Sequence, residues 1–583
     1  MILRPHDAKG ALPILLSRTP YGVPAQAPAE VPPHLKELAA DGYVFVVQNL
    51  RGRFGSEGSF TLAADVVSEP GKGTIETRDA WDTIDWLVKN VPGNNGRVGI
   101  MGVSYAGYTS AATLLDPHPA LKAVSEQASP VDQWMNDDNH RYGALRLSYS
   151  FEYAVMEETD KLSNATFKFD AWDTYQWYLD VGPLSNINDR YVHGTVPYWN
   201  ETVAHPDYDA FWKSQAWANQ ITKSSVPNLN VAGFWDQEDP WGPWQIFHRA
   251  AANDPEHTNL IVAGPWCHGC WHRASETKLG PWVLGHDTAR EFRETLEAPF
   301  FAYWLHGKGV KPAWRATMFQ TGSNRWRTYA QWPLATARPT KLYLHADGTL
   351  SFVAPTAGDK GAHRSYVSDP ANPVPYRPRP ISPTYPGADW PRWESGDQRF
   401  VDHRPDVLSY VSAPLEHDLT VTGEVAAELY ASTSGSDSDF IVKLIDVFPE
   451  NAQPVDWYTQ ADSKGAEPGE YAQTLNGYEL PIAMEVRRGR YLQSYEHPQA
   501  LTPDVPVRWP VPLRERDHVF LKGHRIMVQV QSTWFPLIDR NPQTYTPSIY
   551  TAKAADFVRA TQRVYASPEL PSHILLPVVA DAP

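Results

Sequence analysis

The chain has 583 residues, 42% of them hydrophobic and 20% charged, which is typical of globular proteins and predicts roughly two to four domains. The formal net charge of −16 argues against nucleic acid as a partner, because phosphates bind to basic surfaces. No apolar run reaches the length of a transmembrane helix and no signal peptide is visible at the start. The sequence as it stands therefore predicts a cytoplasmic chain without a membrane partner.

The first third of the chain alternates strand and helix patterns. Residues 13–17 and 43–48 are apolar runs with the length of buried strands, and 80–88 carries an apolar stripe at helical spacing. Such alternation indicates a parallel sheet covered by helices, and we assign residues 1–131 to the first part of this α/β domain.

The run 98–107 (VGIMGVSYAG) predicts a strand that ends in a sharp turn at Ser104, followed by a helix-forming segment at 111–115. Small residues, Gly102 and Gly107, flank the serine, as they must where a nucleophile is presented on a strained strand-to-helix turn. The alternative is an ordinary tight turn in which glycine serves the backbone alone. The surrounding strand and helix favour a catalytic Ser104.

A stretch rich in tyrosine and tryptophan interrupts the alternation at 132–217, and its helical runs, such as 171–178, predict an inserted helical cap. Alternation resumes over 218–335, where strands at 229–233 and 259–263 flank a helix at 244–252. The aromatic side chains of the insertion are candidates for the wall of a pocket, without individual roles. They include Tyr142, Tyr149, Phe151, Tyr153 and Trp172.

An acid and a base follow the two later strands. Asp236 comes directly after the strand at 229–233, and His268 follows the strand at 259–263. Because parallel strands place their carboxyl ends at one edge of a sheet, both should lie near Ser104. The order Ser104, Asp236, His268 is that of the catalytic triad of α/β-hydrolases. A turn-forming aspartate and a satisfied loop histidine are the alternatives.

The two cysteines of the chain, Cys267 and Cys270, flank His268. Such a pair could be redox-active, half of a zinc site or a local disulfide. Metal binding is disfavoured, because adding His268 and His272 would crowd four ligands into six residues. We expect structural bystanders and no metal or organic cofactor.

Residues 336–583 lose the helical patterns. The runs 342–344 and 350–352 flank an Asp-Gly turn and predict a hairpin, and further strands are expected at 424–430, 440–447 and 526–532. This part is interpreted as a β-sandwich. The fold class is therefore α/β plus all-β.

The sequence contains a set of short motifs: RTPY at 18–21, NLRGRFGSEG at 49–58, GVSY at 102–105, WDQED at 235–239, GPWCH at 264–268, Asp446, KGHRI at 522–526 and FPLIDRNP at 535–542. Together these motifs resemble those of one family of serine hydrolases, the cocaine-esterase and X-Pro dipeptidyl-peptidase class, and within it the α-amino-acid ester hydrolase branch. The resemblance implies an α/β-hydrolase fold with an inserted helical cap and a C-terminal jelly roll.

The resemblance also implies roles for particular residues. The Tyr21 hydroxyl and the Tyr105 backbone N–H correspond to the oxyanion hole of the family. Asp138, Glu238 and Asp239 correspond to carboxylates that bind the α-ammonium of the substrate. Without the resemblance these acids would be interpreted as solvated loop residues.

The same resemblance implies a homotetramer and a periplasmic or secreted location. The family begins with a strand hairpin, whereas this sequence starts inside what would be the next strand, so we expect either a misassigned start or missing edge strands.

The sequence thus predicts a serine esterase and acyl transferase that acts on small α-amino-acid esters and amides, β-lactams with an α-amino acyl side chain included. A general carboxylesterase, a glutaryl-β-lactam acylase, an X-Pro dipeptidyl-peptidase and a non-catalytic binding protein remain as alternatives. A glutaryl substrate is an anion and would be repelled by the acidic cluster.

Overall fold

The structure, a computed structural model, describes residues 1–64, 75–223, 226–385, 387, 389–452 and 474–580. Strands and helices alternate in its N-terminal part, and strands dominate after Tyr329. The predicted combination of a mixed α/β part with a β-rich part is confirmed.

One mixed sheet organises the N-terminal part. The described strands up to Tyr329 are β1 (Ile2–Leu3), β2 (Leu12–Thr19), β3 (Val44–Asn49), β4 (Asn94–Val103), β5 (Leu121–Gln127), β6 (His140–Arg141), β7 (Ala144–Leu145), β8 (Asn228–Gly233), β9 (Asn259–Gly264), β10 (Lys278–Leu279), β11 (Trp282–Val283), β12 (Ala316–Gln320) and β13 (Arg325–Tyr329). Among the described residues, nine of them form the sheet β1-β3-β2-β4-β5-β8-β9-β12-β13. The strands from β3 to β12 are parallel and the two edge strands are antiparallel. The carboxyl ends of β4, β8 and β9 therefore meet at one edge.

Helices cover this sheet. The α-helices of the described residues are α1 (Lys36–Asp41), α2 (Ile75–Asn90), α3 (Tyr105–Ala112), α4 (Leu147–Glu158), α5 (Thr174–Val181), α6 (Ser185–Ile187), α7 (Pro197–Ala204), α8 (Ala210–Ser214), α9 (Gly242–Ala251), α10 (Thr288–Phe292) and α11 (Ala298–Phe301). Helices α4 to α8 all lie between β7 and β8, where the sequence predicted an insertion. Helix α5 begins three residues later than the predicted run, because the Asp173 side chain accepts from the N–H of Tyr175 and caps it there.

The parallel strands bury both of their faces. In β2, Ile14 and Leu16 pack in one apolar cluster with Ile84 of α2, whereas Leu15 between them packs in another cluster with Phe301 of α11. This alternation follows from the two-residue period of a strand. It explains why these strands are continuous apolar runs in the sequence.

The helix after Ser104 differs from its prediction at both ends. Helix α3 starts directly at Tyr105 and ends at Ala112, whereas the prediction placed it at 111–115. The chain tightens after Ala112, where the N–H groups of Leu114 and Leu115 bond to carbonyls only three residues back.

The C-terminal part is a second, largely antiparallel sheet. Its described strands are β14 (Arg338–Leu344), β15 (Thr349–Ser351), β16 (His363–Ser368), β17 (Leu408–Ser412), β18 (Leu419–Thr433), β19 (Asp439–Val447), β20 (Glu479–Arg488), β21 (Val507–Phe520), β22 (Arg525–Gln531), β23 (Ala560–Tyr565) and β24 (His573–Val579). The order is β16-β23-β18-β24-β14-β15-β17-β22-β19-β20, with β21 paired to β18. The predicted hairpin is confirmed as the antiparallel pair β14 and β15.

A buried ion network joins the two parts. The guanidinium of Arg488 donates to both oxygens of Asp439 at 2.9 and 2.7 Å and to both oxygens of Asp539 at 2.8 and 3.2 Å. Asp539 in turn accepts from the backbone N–H of Leu145 at 3.1 Å. The end of β20 is thereby linked to β7, just before the inserted helices.

Replacing Arg488 by methionine is expected to lower the free energy of unfolding by about 3–5 kcal/mol, because two buried carboxylates lose their counter-ion. Arg508→Met is the matched control, because the Arg508 side chain is 59% exposed and forms its ion pair with Glu428 near the surface. That pair should contribute less than about 1 kcal/mol. The urea midpoints of both variants measure the difference, and equal shifts would contradict the prediction.

Candidate active site

Ser104 lies at the junction of β4 and α3 in a strained conformation. Its φ of 63° is in the left-handed region, which a residue with a side chain rarely adopts. Its N–H donates to the Gln127 carbonyl at 2.9 Å. A Cβ at Gly102 would lie 2.4 Å from that of Ala106, and one at Gly107 would lie 2.5 Å from the Gln127 carbonyl oxygen. The small residues that the sequence places around Ser104 are therefore required by close backbone approach.

Asp236 and His268 are in contact. Asp236 follows β8, and its Oδ1 and Oδ2 lie 3.0 and 3.1 Å from His268 Nδ1. Oδ1 also accepts from the backbone N–H groups of Glu238 and Asp239 at 2.8 and 3.0 Å, which fixes the carboxylate. Burial alone would raise the pKa of Asp236, but His268 and these N–H donors outweigh it, and the pKa lies below its usual value. The imidazole is thus held by a charged, immobile partner.

The loop of His268 packs beside the serine turn. A Cβ added at Gly269 would lie 3.6 Å from Val103 Cγ1, so the residue after His268 contacts the residue before Ser104. Burial disfavours the charged imidazole, yet the carboxylates of Asp236 and Glu238 outweigh burial and raise the pKa of His268 to about 9. An imidazole oriented by a carboxylate beside a serine is the arrangement that activates a hydroxyl nucleophile.

Tyr21 lies against the same serine. Its hydroxyl is 3.0 Å from that of Tyr153, and its carbonyl accepts from Asn164 Nδ2 at 3.1 Å. Burial and then the charge of Glu157 raise the pKa of Tyr21 well above its usual value, although hydrogen bonds from Tyr153 and Ser104 act in the opposite direction. The Tyr21 phenol therefore stays protonated and can donate a hydrogen bond.

Tyr105 is the first residue of α3. A backbone N–H at the start of a helix has no partner within that helix. The Tyr21 hydroxyl lies at Ser104, and the Tyr105 N–H is next to Ser104 along the chain. The oxyanion-hole role that the family resemblance implies for these two groups stays a prediction.

The three predicted acids are buried. Asp138, Glu238 and Asp239 are 6%, 8% and 0% exposed, so the interpretation as solvated loop residues is wrong. The pKa of Asp239 is raised well above its usual value by burial and then by the charge of Asp138. Glu238 Oε2 lies 3.6 Å from His268 Nε2, which places the acidic group directly beside the imidazole.

Three residues near Glu238 were not assigned from the sequence. Its carboxylate accepts from Tyr149 and Tyr385 hydroxyls at 3.1 and 3.2 Å and from Trp390 Nε1 at 2.7 Å. Tyr149 was one of the unassigned cap aromatics. Tyr385 and Trp390 come from the C-terminal part and carry no motif or spacing that relates them to Glu238.

The other cap aromatics have different surroundings. Tyr153 lies at Tyr21, whereas Phe151 is completely buried among aromatic rings of the inserted helices, and Tyr142 packs near Arg487. Trp172 is 83% exposed and is not part of a pocket wall.

Cys267 and Cys270 form a local disulfide, one of the three readings that the sequence left open. Within the described ranges, the histidine, cysteine, aspartate and glutamate side chains form no group of three or more that could hold a metal ion. No helix in the same part of the chain is long and apolar enough to cross a bilayer.

Comparisons with known proteins agree with this geometry. Residues 1–270 match the family model of the X-Pro dipeptidyl-peptidase (S15 family), and residues 307–575 match the model of the X-Pro dipeptidyl-peptidase C-terminal non-catalytic domain. The cocaine esterase of Rhodococcus sp. (strain MB1 Bresler) is 28% identical over 596 residues, which cover 98% of this chain and 95% of the esterase.

Two solved structures are similar over nearly the whole chain. An aminopeptidase from a marine sediment archaeon (Thaumarchaeota archaeon) is 39% identical with a TM-score of 0.91, and the match covers 99% of this chain and 94% of the aminopeptidase. An α-amino acid ester hydrolase has the same identity and TM-score, with coverage of 99% of this chain and 93% of the hydrolase. The chain therefore belongs to the S15 family, and it is a serine hydrolase of the class that includes cocaine esterase and α-amino acid ester hydrolase.

Proposed function

We propose that this enzyme transfers α-amino acyl groups from esters and amides to water or to an amine, with Ser104 as the nucleophile. The observation that carries the proposal is the contact of Asp236 with His268 beside a buried acidic group, at the sheet edge where β4 ends in Ser104. That arrangement combines the means to activate a serine with a preference for a cation next to the scissile carbonyl.

The chemistry follows from these positions. His268 takes the hydroxyl proton of Ser104 as the Ser104 oxygen attacks the carbonyl carbon. When the bond between the carbonyl carbon and the leaving group breaks, His268 gives the proton to the departing alkoxide or amine. The Tyr21 hydroxyl and the Tyr105 N–H stabilise the oxyanion in between. Water or an amine such as a β-lactam nucleus then attacks the acyl-enzyme by the same route. Ping-pong kinetics follow.

The acidic group explains the choice of acyl side chain. Asp138, Glu238 and Asp239 are almost completely buried, and charges interact more strongly in such surroundings than in bulk solvent. An α-ammonium is stabilised there, whereas a glutaryl carboxylate is repelled. The carboxylates therefore favour an α-amino acyl substrate over that of a glutaryl acylase.

A peptide substrate is the second candidate. The similar archaeal structure is described as an aminopeptidase, and a peptide with a free N-terminus also presents an α-ammonium next to its first carbonyl. An X-Pro dipeptidyl-peptidase would place the ammonium one residue further from the cleaved bond. Aminoacyl and X-Pro chromogenic substrates distinguish the two peptidase activities.

For the architecture, we infer domain boundaries near residues 131, 217 and 335 and a jelly-roll arrangement of the C-terminal strands. The supporting observations are helices α4 to α8, which lie between β7 and β8, and the antiparallel pairing of β18 with β21, of β19 with β20 and of β19 with β22.

The experiment that tests the proposed function compares kcat/KM for phenylglycine methyl ester and phenylacetic acid methyl ester. The two substrates differ only in the α-amino group, so their ratio measures recognition of the ammonium. We expect a preference of about a hundredfold, which corresponds to about 2.7 kcal/mol. A ratio near one would leave a general carboxylesterase.

Replacing Tyr21 by phenylalanine is expected to lower kcat by about 10²–10³-fold, because one donor to the oxyanion is lost while the ring remains. KM should change little, since the donor acts mainly in the transition state. Tyr108→Phe is the matched control: Tyr108 follows Ser104 in α3, and its hydroxyl donates to the Ala64 carbonyl. Equal losses of kcat in both variants would contradict the role of Tyr21.

A further inference from the structure

A cavity of about 230 Å³ lies in the connection between β16 and β17, and none of its lining residues is assigned to the active site. Three aromatic side chains line it, those of Tyr376, Trp393 and Phe400, and most of its wall is apolar. The rings of Tyr376 and Trp393 pack edge to face with their centroids 5.2 Å apart. Because a cavity of about 150 Å³ can hold benzene, this one has room for an aromatic ring with a small polar group.

One cationic side chain of the cavity wall has no counter-ion. Arg377 is 5% exposed, and its Nη2 donates to the carbonyl and the hydroxyl of Ser382 at 2.7 and 3.1 Å. Both acceptors are neutral. Among the residues that the structure describes, neither Nε nor Nη1 has an acceptor, so three of the five N–H groups of the guanidinium are unused. A buried charge in this condition is costly unless a partner of opposite charge joins it.

The other charged groups of the cavity wall do not compensate Arg377. Asp397 Oδ2 accepts from Arg399 Nε at 2.7 Å, and Asp397 Oδ1 accepts from the backbone N–H groups of Arg399 and Glu479 at 3.1 and 3.3 Å. The carboxylate of Asp397 is therefore neutralised by Arg399. The cavity wall keeps the positive charge of Arg377, in a chain whose formal net charge is −16.

Trp393 adds a second unused donor to the same wall. Its Nε1 is buried and has no acceptor within the described part of the chain. A buried indole N–H ordinarily finds an acceptor, and leaving it without one costs free energy. An anion in the cavity would supply both the acceptor that Trp393 lacks and the counter-charge that Arg377 lacks.

We infer that this cavity binds a small carboxylate that carries an aromatic ring, with the carboxylate at Arg377 and Trp393 and the ring against Tyr376 and Phe400. The carboxylate offsets the charge of the guanidinium, and the ring takes the place of water against the apolar wall. The inference goes beyond the proposed function and does not depend on it, because it uses no residue of the active site.

Trp390 contacts both the cavity wall and the acidic group of the active site. Its ring centroid lies 6.2 and 6.4 Å from those of Trp393 and Tyr376, and its Nε1 donates to Glu238 at 2.7 Å. The two places select opposite charges, since carboxylates repel an anion that a guanidinium attracts. A carboxylate without an amino group should therefore bind at Arg377 and leave the acidic group empty.

The first test measures binding to the full chain by titration calorimetry, after the active-site serine has been blocked with a fluorophosphonate. The ligands are phenylacetate, phenylacetamide, which lacks the charge, and acetate, which lacks the ring. We expect one phenylacetate per chain, with an affinity about tenfold or more above that of either other ligand. Equal affinity for phenylacetate and one of the others, or no phenylacetate bound by the blocked protein, would overturn the inference.

The second test assigns the binding to Arg377. Arg377→Met removes the guanidinium, keeps a long side chain and should weaken phenylacetate binding by about tenfold or more. Arg379→Met is the matched control, because Arg379 lies two residues away, is 41% exposed and pairs with Asp173 at 2.7 Å.

The control should keep its affinity within about twofold, and phenylacetate should raise the thermal midpoint of Arg379→Met but not of Arg377→Met. Equal losses of affinity in the two variants would overturn the role of Arg377. The comparison of ligands in the first test uses the unsubstituted chain, so it decides the inference even where a substitution prevents folding.

Discussion

Alanine at position 104 is expected to lower kcat for ester hydrolysis by about 10⁶-fold, the largest effect of any single change in the chain. The loss follows because the acyl-enzyme cannot form, and the base and the oxyanion donors do not compensate for an absent nucleophile. The protein should still bind substrate, since the acidic pocket is unchanged. Steady-state kinetics and labelling with a serine-directed fluorophosphonate measure the loss.

Ser110→Ala is the matched control for this prediction. Ser110 lies in α3, the helix that follows Ser104, and it is fully buried. Its hydroxyl donates to the Ala106 carbonyl at 2.7 Å. The substitution removes a hydroxyl from α3 without touching the turn, so kcat should stay within a few-fold. Retained labelling in Ser104→Ala, or equal loss of activity in both variants, would move the nucleophile elsewhere.

Asp236→Asn is expected to lower kcat by about 10⁴-fold, the second-largest effect. Asparagine keeps an oxygen that can accept from the N–H groups of Glu238 and Asp239, so the loop is preserved. It removes the charge that stabilises the imidazolium of His268 and favours the wrong tautomer of the ring. Because that charge also raises the pKa of His268, the residual activity should titrate at lower pH than that of the wild type.

Asp254→Asn distinguishes this effect from general damage. Asp254 is buried before β9, where it accepts from the N–H groups of Thr258 and Asn259 and pairs with Arg315. Its loss should lower the thermal midpoint and leave kcat of the folded fraction nearly unchanged. If Asp236→Asn lowered the thermal midpoint in the same way and kept its kcat, Asp236 would be a structural residue.

The sequence predicts those parts of the site in which chemistry is tied to a strand end. Ser104, Asp236 and His268 each follow a short continuous apolar run, which is the pattern of a strand buried on both faces. The shared edge follows from parallel pairing alone, before any contact is known. Tyr21, Asp138, Glu238 and Asp239 needed the family resemblance, because a tyrosine after a proline and acids in loops are common in any protein.

Contacts made across the molecule could not be predicted in this way. Trp390 is 152 residues from Glu238 in the chain, and Tyr385 is 147 residues from it. Which loop of a β-rich part meets a given strand end depends on how the two parts pack, and no local pattern encodes that. The same holds for Arg146, because nothing in the sequence relates its guanidinium to the carbonyls of Asp137, Gln237 and Glu238, to which it donates hydrogen bonds.

Tyr385 and Trp390 donate hydrogen bonds to Glu238 from the C-terminal part of the chain, so the acidic group is assembled late during synthesis. Ser104, Asp236 and His268 all precede these two residues, so a growing chain contains the proposed nucleophile and base before the side chains that hold Glu238 exist. At typical translation rates about ten seconds separate His268 from Trp390. An unfinished chain therefore lacks the donors that fix the Glu238 carboxylate, and the acidic group is complete only after the C-terminal part has been synthesised and packed.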